Sequence, residues 1–174
     1  MSGAKTIPTK INRYNVYNAG NRLLGMGDEM PLPDFESLTE TISGAGILGE
    51  IDDPTVGYFT NQEVEIPFRV TDEEAVDMLD MTKAVPLTIR GAAQTTNSEG
   101  DIEFRQIRVV IRGRSANFTP GKLKAGSQME TKLTLTLLYI LIEMDGEPLV
   151  ELDKLNEVFK IRGRDVLAKI KEMC

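Results

Sequence analysis

The chain has 174 residues, 41% hydrophobic and 27% charged, with 20 basic and 27 acidic side chains and a formal net charge of −7. This length favours one domain, 1–174, that buries roughly 70% of the surface its unfolded form exposes, so it needs neither a disulfide nor a metal to fold. The absence of histidine excludes Ser-His-Asp and Cys-His nucleophiles and any imidazole metal site, and the single cysteine, Cys174, is the last residue, where it forms no intrachain disulfide and makes a poor catalytic thiol.

The first residues lack the apolar core of a signal peptide, and the longest purely apolar run, 137–142, falls far short of the ~20 residues a membrane helix needs. The expectation is a soluble protein folded inside the cell, with a flexible N-terminal segment over about 1–12. Strand signals then dominate. Residues 13–17 and 21–26 flank Asn18-Ala19-Gly20, a hairpin turn whose residues tolerate positive φ. A third strand is expected at 35–42. Residues 62–69 alternate, with Val64, Ile66 and Phe68 on one side and Glu63, Glu65 and Arg69 on the other. Thr71 as N-cap and Glu74 as its capping-box partner predict a short helix with an apolar stripe of Ala75, Val76 and Leu79.

Residues 85–92 alternate again, with Val85, Leu87 and Ile89 inward, and the turn Asn97-Ser98-Glu99-Gly100 leads to a strand at 101–114. There the apolar phase slips from Ile102 and Phe104 to Ile107, Val109 and Ile111, so a β-bulge is expected near Arg105-Gln106. The longest strand is expected at 128–144, with Leu133, Leu135, Leu137, Tyr139 and Leu141 on one face. Its other face turns apolar at Leu138, Ile140 and Ile142, which predicts cover on both sides by a helix or another subunit. Asp145-Gly146 is a strong hairpin signal, with a return strand at 149–152, and a second helix is expected at 165–172 with Val166, Leu167 and Ile170 on one face. The fold class is mostly β, barrel- or sandwich-like, with two short α-helices.

Gly44-Ala45-Gly46-Ile47-Leu48-Gly49 matches a dinucleotide-binding spacing, but that chemistry needs a helix opening at the glycines. Here Glu50, Asp52 and Asp53 would repel phosphate and Pro54 would stop the helix. The favoured reading is a long loop over 43–60 whose apolar tips Ile47, Leu48 and Ile51 dock on something. The pairs Asp28-Glu29, Asp52-Asp53 and Glu73-Glu74 read as solvated faces or capping turns rather than catalytic carboxylates. No metal site and no cofactor is expected. Arg105, Arg108, Arg112 and Arg114 form a basic strand. Without interleaved aromatic residues, and in an acidic chain, they read as outward charges rather than a nucleic-acid surface. Residues 28–80 hold fifteen acidic side chains and one basic, Arg69, whereas 90–124 hold seven basic and three acidic. Such blocks complement either one another within a monomer or a second copy, where head-to-tail contacts form rings or filaments.

Asn15-Val16-Tyr17-Asn18-Ala19-Gly20 followed by Leu32-Pro33 resembles the opening of the major tail tube proteins of contractile-tailed bacteriophages. The glycine stretch 44–49 resembles theirs, as do Val110-Ile111-Arg112-Gly113-Arg114, Gly121-Lys122, Gly126, Glu130 and Lys132. The C-terminal third matches best, through Tyr139, Met144-Asp145-Gly146, Leu149-Val150-Glu151-Leu152-Asp153, Asn156 and Gly163-Arg164-Asp165-Val166-Leu167. The resemblance covers roughly residues 13–170.

It implies a non-enzymatic structural subunit: hexameric rings stacked into a hollow tube inside a contractile sheath, with strands of six copies closing one inner barrel. It also implies assembly in the host bacterial cytoplasm, with the sheath protein, a baseplate initiator and a tape measure protein as partners. The product would be a virion tail or a related bacteriocin-like particle. DNA could pass the lumen without specific binding, because the net acidity repels phosphate. On this reading Ile47, Leu48, Ile51, Asp52 and Asp53 stack rings, and Arg105, Arg108, Arg112 and Arg114 make inter-subunit charge contacts. Glu36, Glu40, Glu63 and Glu65 are expected to face the lumen. Three alternatives stand beside it: the secreted ring-forming tube of type VI secretion, separable by neighbouring genes; a dinucleotide enzyme, separable by thermal shift; and a monomeric ligand-binding β-barrel, separable by oligomeric state.

Overall fold

The computed structural model describes residues 6–174; the expected flexibility of residues 1–5 lies outside them. Along the described chain run β1 (Ile7–Asn18), β2 (Asn21–Arg22), β3 (Ser37–Ile42), β4 (Ile51–Phe59), β5 (Glu63–Phe68), α1 (Glu73–Asp77), β6 (Val85–Thr96), β7 (Ile102–Thr119), β8 (Thr131–Met144), β9 (Glu147–Asp153), β10 (Val158–Ile161), β11 (Arg164–Asp165) and α2 (Ala168–Met173). The order in the large sheet is β11-β10-β9-β8-β7-β6-β1-β2, and β5 pairs with the first half of β8, on the edge that β9 takes farther along. The strands β3 and β4 pair only with each other. The fold is mostly β, as expected, but neither sheet closes into a barrel within the subunit.

Local chemistry sets the hairpins. Asp145 and Gly146 take φ of 52° and 82° between Met144 and Glu147, the two-residue turn whose twist matches the flanking strands. Asn97 Oδ1 accepts from the N–H groups of Glu99 and Asp101 and so fixes the β6–β7 turn.

One face of the large sheet carries the core. Val64, Ile66 and Phe68 of β5, Leu87 and Ile89 of β6, Val109 and Ile111 of β7 and Leu133, Leu135 and Leu137 of β8 are buried, under Leu23, Ala75 of α1 and Met78 at its C-cap. The single-face period expected for β8 breaks at Leu138. Arg112 pairs with Tyr139 but Gly113 pairs with Leu137, so Leu138 is an extra residue and the strand's faces exchange there. Ile140, opposite Ile111, is therefore fully buried, while Tyr139 and Leu141 turn to the other face and stay half-buried. Conversely, no bulge occurs near Arg105-Gln106. The β6–β7 register is unbroken from Val85↔Gly113 to Thr96↔Ile102. Ile102 and Phe104 need no re-phasing because this end of the hairpin runs beyond the core, leaving them 57% and 63% exposed.

Five further expectations change. The N-cap of α1 is Asp72, whose Oδ1 accepts from Ala75 N–H at 2.9 Å. The Thr71 hydroxyl is engaged elsewhere, with Thr131 Oγ1 and Pro120 O, so the capping box does not form. Met78 replaces the exposed Val76 on the buried stripe. The second helix starts at Ala168, because Asp165 pairs with Lys160 as part of β11 and its carboxylate accepts from Leu167 N–H. The segment 7–12, expected flexible, is strand, held by β6 from Ile7↔Thr96 onward. Finally, residues 51–59 are not loop. Ile51, Asp52, Asp53 and Pro54 pair with Ile42, Thr41, Glu40 and Thr39, so the connection shrinks to 43–50. Pro54 fits because this two-stranded ribbon is all edge.

The connection 120–130 between β7 and β8 is pinched at its neck. Gly121 has φ of +86°, and a Cβ there would collide with the Met129 carbonyl oxygen. Gly121→Ala is expected to cost at least about 2 kcal/mol, because both the left-handed backbone and the close approach exclude a side chain. The midpoint of urea unfolding against wild type measures it.

Candidate assembly surfaces

The β3–β4 hairpin is the least covered part of the subunit. It is rooted by Phe59, edge-to-face with Phe35 (5.8 Å between ring centres) and Phe159 (5.1 Å). Backbone bonds add Thr60 N–H to Glu36 O at 2.9 Å, and Gln62 Nε2 donates to Asp34 O at 2.6 Å. Beyond this root nearly every side chain is exposed, including Leu38, Ile42, Ile51, Val56 and Tyr58, and Leu48 at the tip is fully exposed at 106%. Between β4 and α2 lies a groove of about 790 Å³ lined by Val56, Tyr58, Leu152, Val158, Leu167 and Ile170. A two-stranded ribbon alone is marginal in water, so its apolar residues call for cover from outside the chain. Of the residues expected to stack, Leu48 lies at the tip, Ile47 beside it half-buried, and Ile51, Asp52 and Asp53 at the start of β4.

The second surface is the open face of the large sheet. Cross-strand register places Glu63, Thr136 and Arg114 in one row. Arg112, Tyr139 and Asp153 form a second, and Arg90, Arg108 and Glu143 a third. Arg108 donates to Glu143 at 2.7 Å. Arg112 lies 3.5 Å from Asp153 and 4.3 Å from the Tyr139 ring centre. Lys132 reaches Glu65 at 3.3 Å. Arg105 sits on the opposite parity and donates to Asp145 at 2.6 Å. Thus Glu63 and Glu65 share a face with Arg108, Arg112 and Arg114, whereas Glu36 and Glu40 sit apart, at and on the β3–β4 hairpin. Three of the four arginines find acids of the β8–β9 region inside the subunit rather than the acidic block 28–80. The acids Glu143, Asp145 and Asp153 escaped sequence reading because only register brings them opposite arginines 35 to 41 positions away in sequence.

Asp153 is the most enclosed of these acids. Burial pulls its pKa upward, but the Asn156 side chain, the Asn156 and Leu155 N–H groups and Arg112 outweigh that and hold it below the ordinary value of 3.8. A carboxyl lowered on folding stabilises the protein above its unfolded pKa, and that contribution disappears as pH falls through the lowered folded value. Asp153→Asn is expected to destabilise the subunit near pH 7 by about 1–2 kcal/mol, the cost of weakening charge-assisted hydrogen bonds. The gap from wild type should close as pH drops from about 5 toward 2, as urea midpoints across that range will show.

The third surface is the β6–β7 hairpin end, where Ile7, Ile102 and Phe104 stand exposed on one parity of the sheet. Along β1, residues 7–15 pair with β6 on one edge only, leaving their other edge unpaired among the described residues, and from Val16 onward the other edge is taken by 21–23.

Open edges, a largely uncovered hairpin and an ion-paired polar face are the surfaces this subunit leaves open to contact from outside the chain. Residues 8–173 match the family described as phage tail tube protein FII. The chain is also 27% identical over 173 residues to the tail tube protein of Escherichia phage P2, covering 92% of this chain and 94% of that one. It belongs to the phage tail tube protein FII family, and is a structural subunit of a phage tail tube.

Proposed function

We propose that six copies close into a ring, and that rings stack into the hollow inner tube of a contractile tail. The observation that carries this reading is the β3–β4 hairpin, which touches its own subunit at the Phe59 root and where Gly57 meets Leu167, and leaves nearly all its other side chains exposed, Leu48 at the tip above all. The unpaired edge of β1 supports ring closure, since strand addition from a neighbour satisfies backbone groups that otherwise face water. The open sheet face lines the lumen. Of its arginines, Arg108 and Arg112 are paired with Glu143 and Asp153. The net charge of −7 per subunit disfavours DNA binding by the ring as a whole, so DNA passes without specific binding. Glu63 and Glu65 belong to that lining, and Glu36 and Glu40 to the hairpin outside it. The sheath protein surrounds the tube, a baseplate initiator seeds it, a tape measure protein sets its length, and assembly takes place in the host bacterial cytoplasm.

Negative-stain electron microscopy of the purified protein over a concentration series, with and without the baseplate initiator, tests this. Rings or hollow tubes of uniform diameter are expected. Monodisperse monomers under both conditions would overturn it.

A further inference from the structure

Two projections leave the body at opposite ends of β5. The β3–β4 hairpin roots at its start, where Leu137 N–H donates to Gln62 O at 2.9 Å. From there β4 lies beside Leu152, Val158 and Leu167, farther still from the end of β5. The 120–130 loop roots at that other end, beside the Phe68↔Thr131 pair. Met129 N–H donates to Arg69 O at 2.7 Å, Lys122 N–H to Met129 O at 2.9 Å, and the Thr131 hydroxyl to Pro120 O at 2.9 Å. The neck of this loop is fixed and its head is bare.

The two heads are complementary. Leu48 and Leu123, at 106% and 89%, are the most exposed large hydrophobic residues described. Leu48 is followed by Glu50, Asp52 and Asp53, with no basic residue between 23 and 68. Leu123 lies between Lys122 and Lys124. Lys122 pairs with Glu130 at 2.9 Å, and Lys124 has no ion-pair partner among the described residues. Within the hairpin Glu40 stands directly opposite Asp53, a like-charge cross-strand pair that weakens the ribbon until a cation approaches. Opposite ends, opposite charge and a matching apolar knob suit head-to-tail repetition of one subunit.

Resting on the tube-stacking reading above, we infer that the hairpin tip of one copy seats on the 120–130 loop of a copy in the next ring. Leu48 covers Leu123, and the lysines on either side of Leu123 meet the acids at the start of β4, Asp52 on one face of the ribbon and Asp53, opposite Glu40, on the other. Charge exchange tests the pairing. Lys122→Glu with Lys124→Glu, and separately Asp52→Lys with Asp53→Lys, are each expected to cut sedimentable tube at least tenfold. Circular dichroism should show folded monomers in both. All four substitutions in one chain are expected to restore at least half of the wild-type tube mass. Failure of the four-fold variant to recover, while wild type makes tubes, overturns the pairing and leaves stacking intact. Absence of tubes from wild type overturns the stacking reading and the inference with it. As an independent measure, Leu48→Cys with Leu123→Cys in a Cys174→Ser background should give a ladder of disulfide-linked subunits on oxidation of assembled tubes. Tubes that form without a ladder count against the contact, because the thiols would then lie beyond the roughly 7 Å Cα separation a disulfide spans.

Discussion

Leu48→Asp is expected to leave the monomer as stable as wild type and to abolish tube growth. The side chain touches nothing within its own subunit, so the stability change should stay within about 0.5 kcal/mol. At a ring–ring interface the same residue counts six times in the hexamer proposed above. Burying one leucine is worth about 1.5–3 kcal/mol, so six together contribute on the order of 10 kcal/mol to each added ring. Losing that term lowers the ring-addition constant by about seven powers of ten, which amounts to no tubes at any workable concentration. Thermal melting followed by circular dichroism checks the first half and sedimentation with electron microscopy the second. Normal tubes from a folded Leu48→Asp variant would remove the hairpin from the stacking interface.

The second large effect concerns stability, and it separates two neighbours. Ile140→Ala is expected to cost about 2–5 kcal/mol, because the side chain is fully buried opposite Ile111 and its removal leaves a cavity. Leu141→Ala should cost about 1 kcal/mol or less in the monomer, since Leu141 lies half-buried on the open face. For a chain of this length that difference corresponds to a Tm gap of roughly 5–10 °C. Equal losses would mean that β8 keeps a plain two-residue period and that the bulge at Leu138 is absent from the protein in solution.

Much of the architecture could be read directly from residue order. The strict alternation of Glu63 to Phe68 needs only the two-residue period of a strand, and its three apolar residues are indeed buried. The turns at Ala19-Gly20 and Asp145-Gly146 rest on backbone preferences of those residues and appear where expected. The C-terminal third carried the clearest family resemblance, and the family match extends it across residues 8–173.

What failed did so for reasons of distance. At Thr71, capping chemistry was legible but the competing bond to Thr131, sixty positions away, was not. Strand β4 was hidden because Asp52, Asp53 and Pro54 have poor β propensity. They pair because the ribbon stands at the surface, where acids stay hydrated and Pro54 gives up no central ladder bond. The arginines of β7 were visible as a set, but their partners within the subunit, Glu143, Asp145 and Asp153, were not, because the β8–β9 hairpin delivers them only in register.

Residue order was enough for the mostly-β class, the hairpin turns, the inward faces of β5 and β6, the apolar tip at Leu48 and the family. All of these follow from period, turn chemistry and ordered motifs within short stretches of chain. Folding added the exchange of faces at Leu138, the open rather than closed sheet, the pairing of the β7 arginines, and the placement of the acidic hairpin and the Lys122–Lys124 loop at opposite ends of β5. Each of these depends on which residues meet across strands far apart in sequence, and cross-strand register is a property of the folded whole.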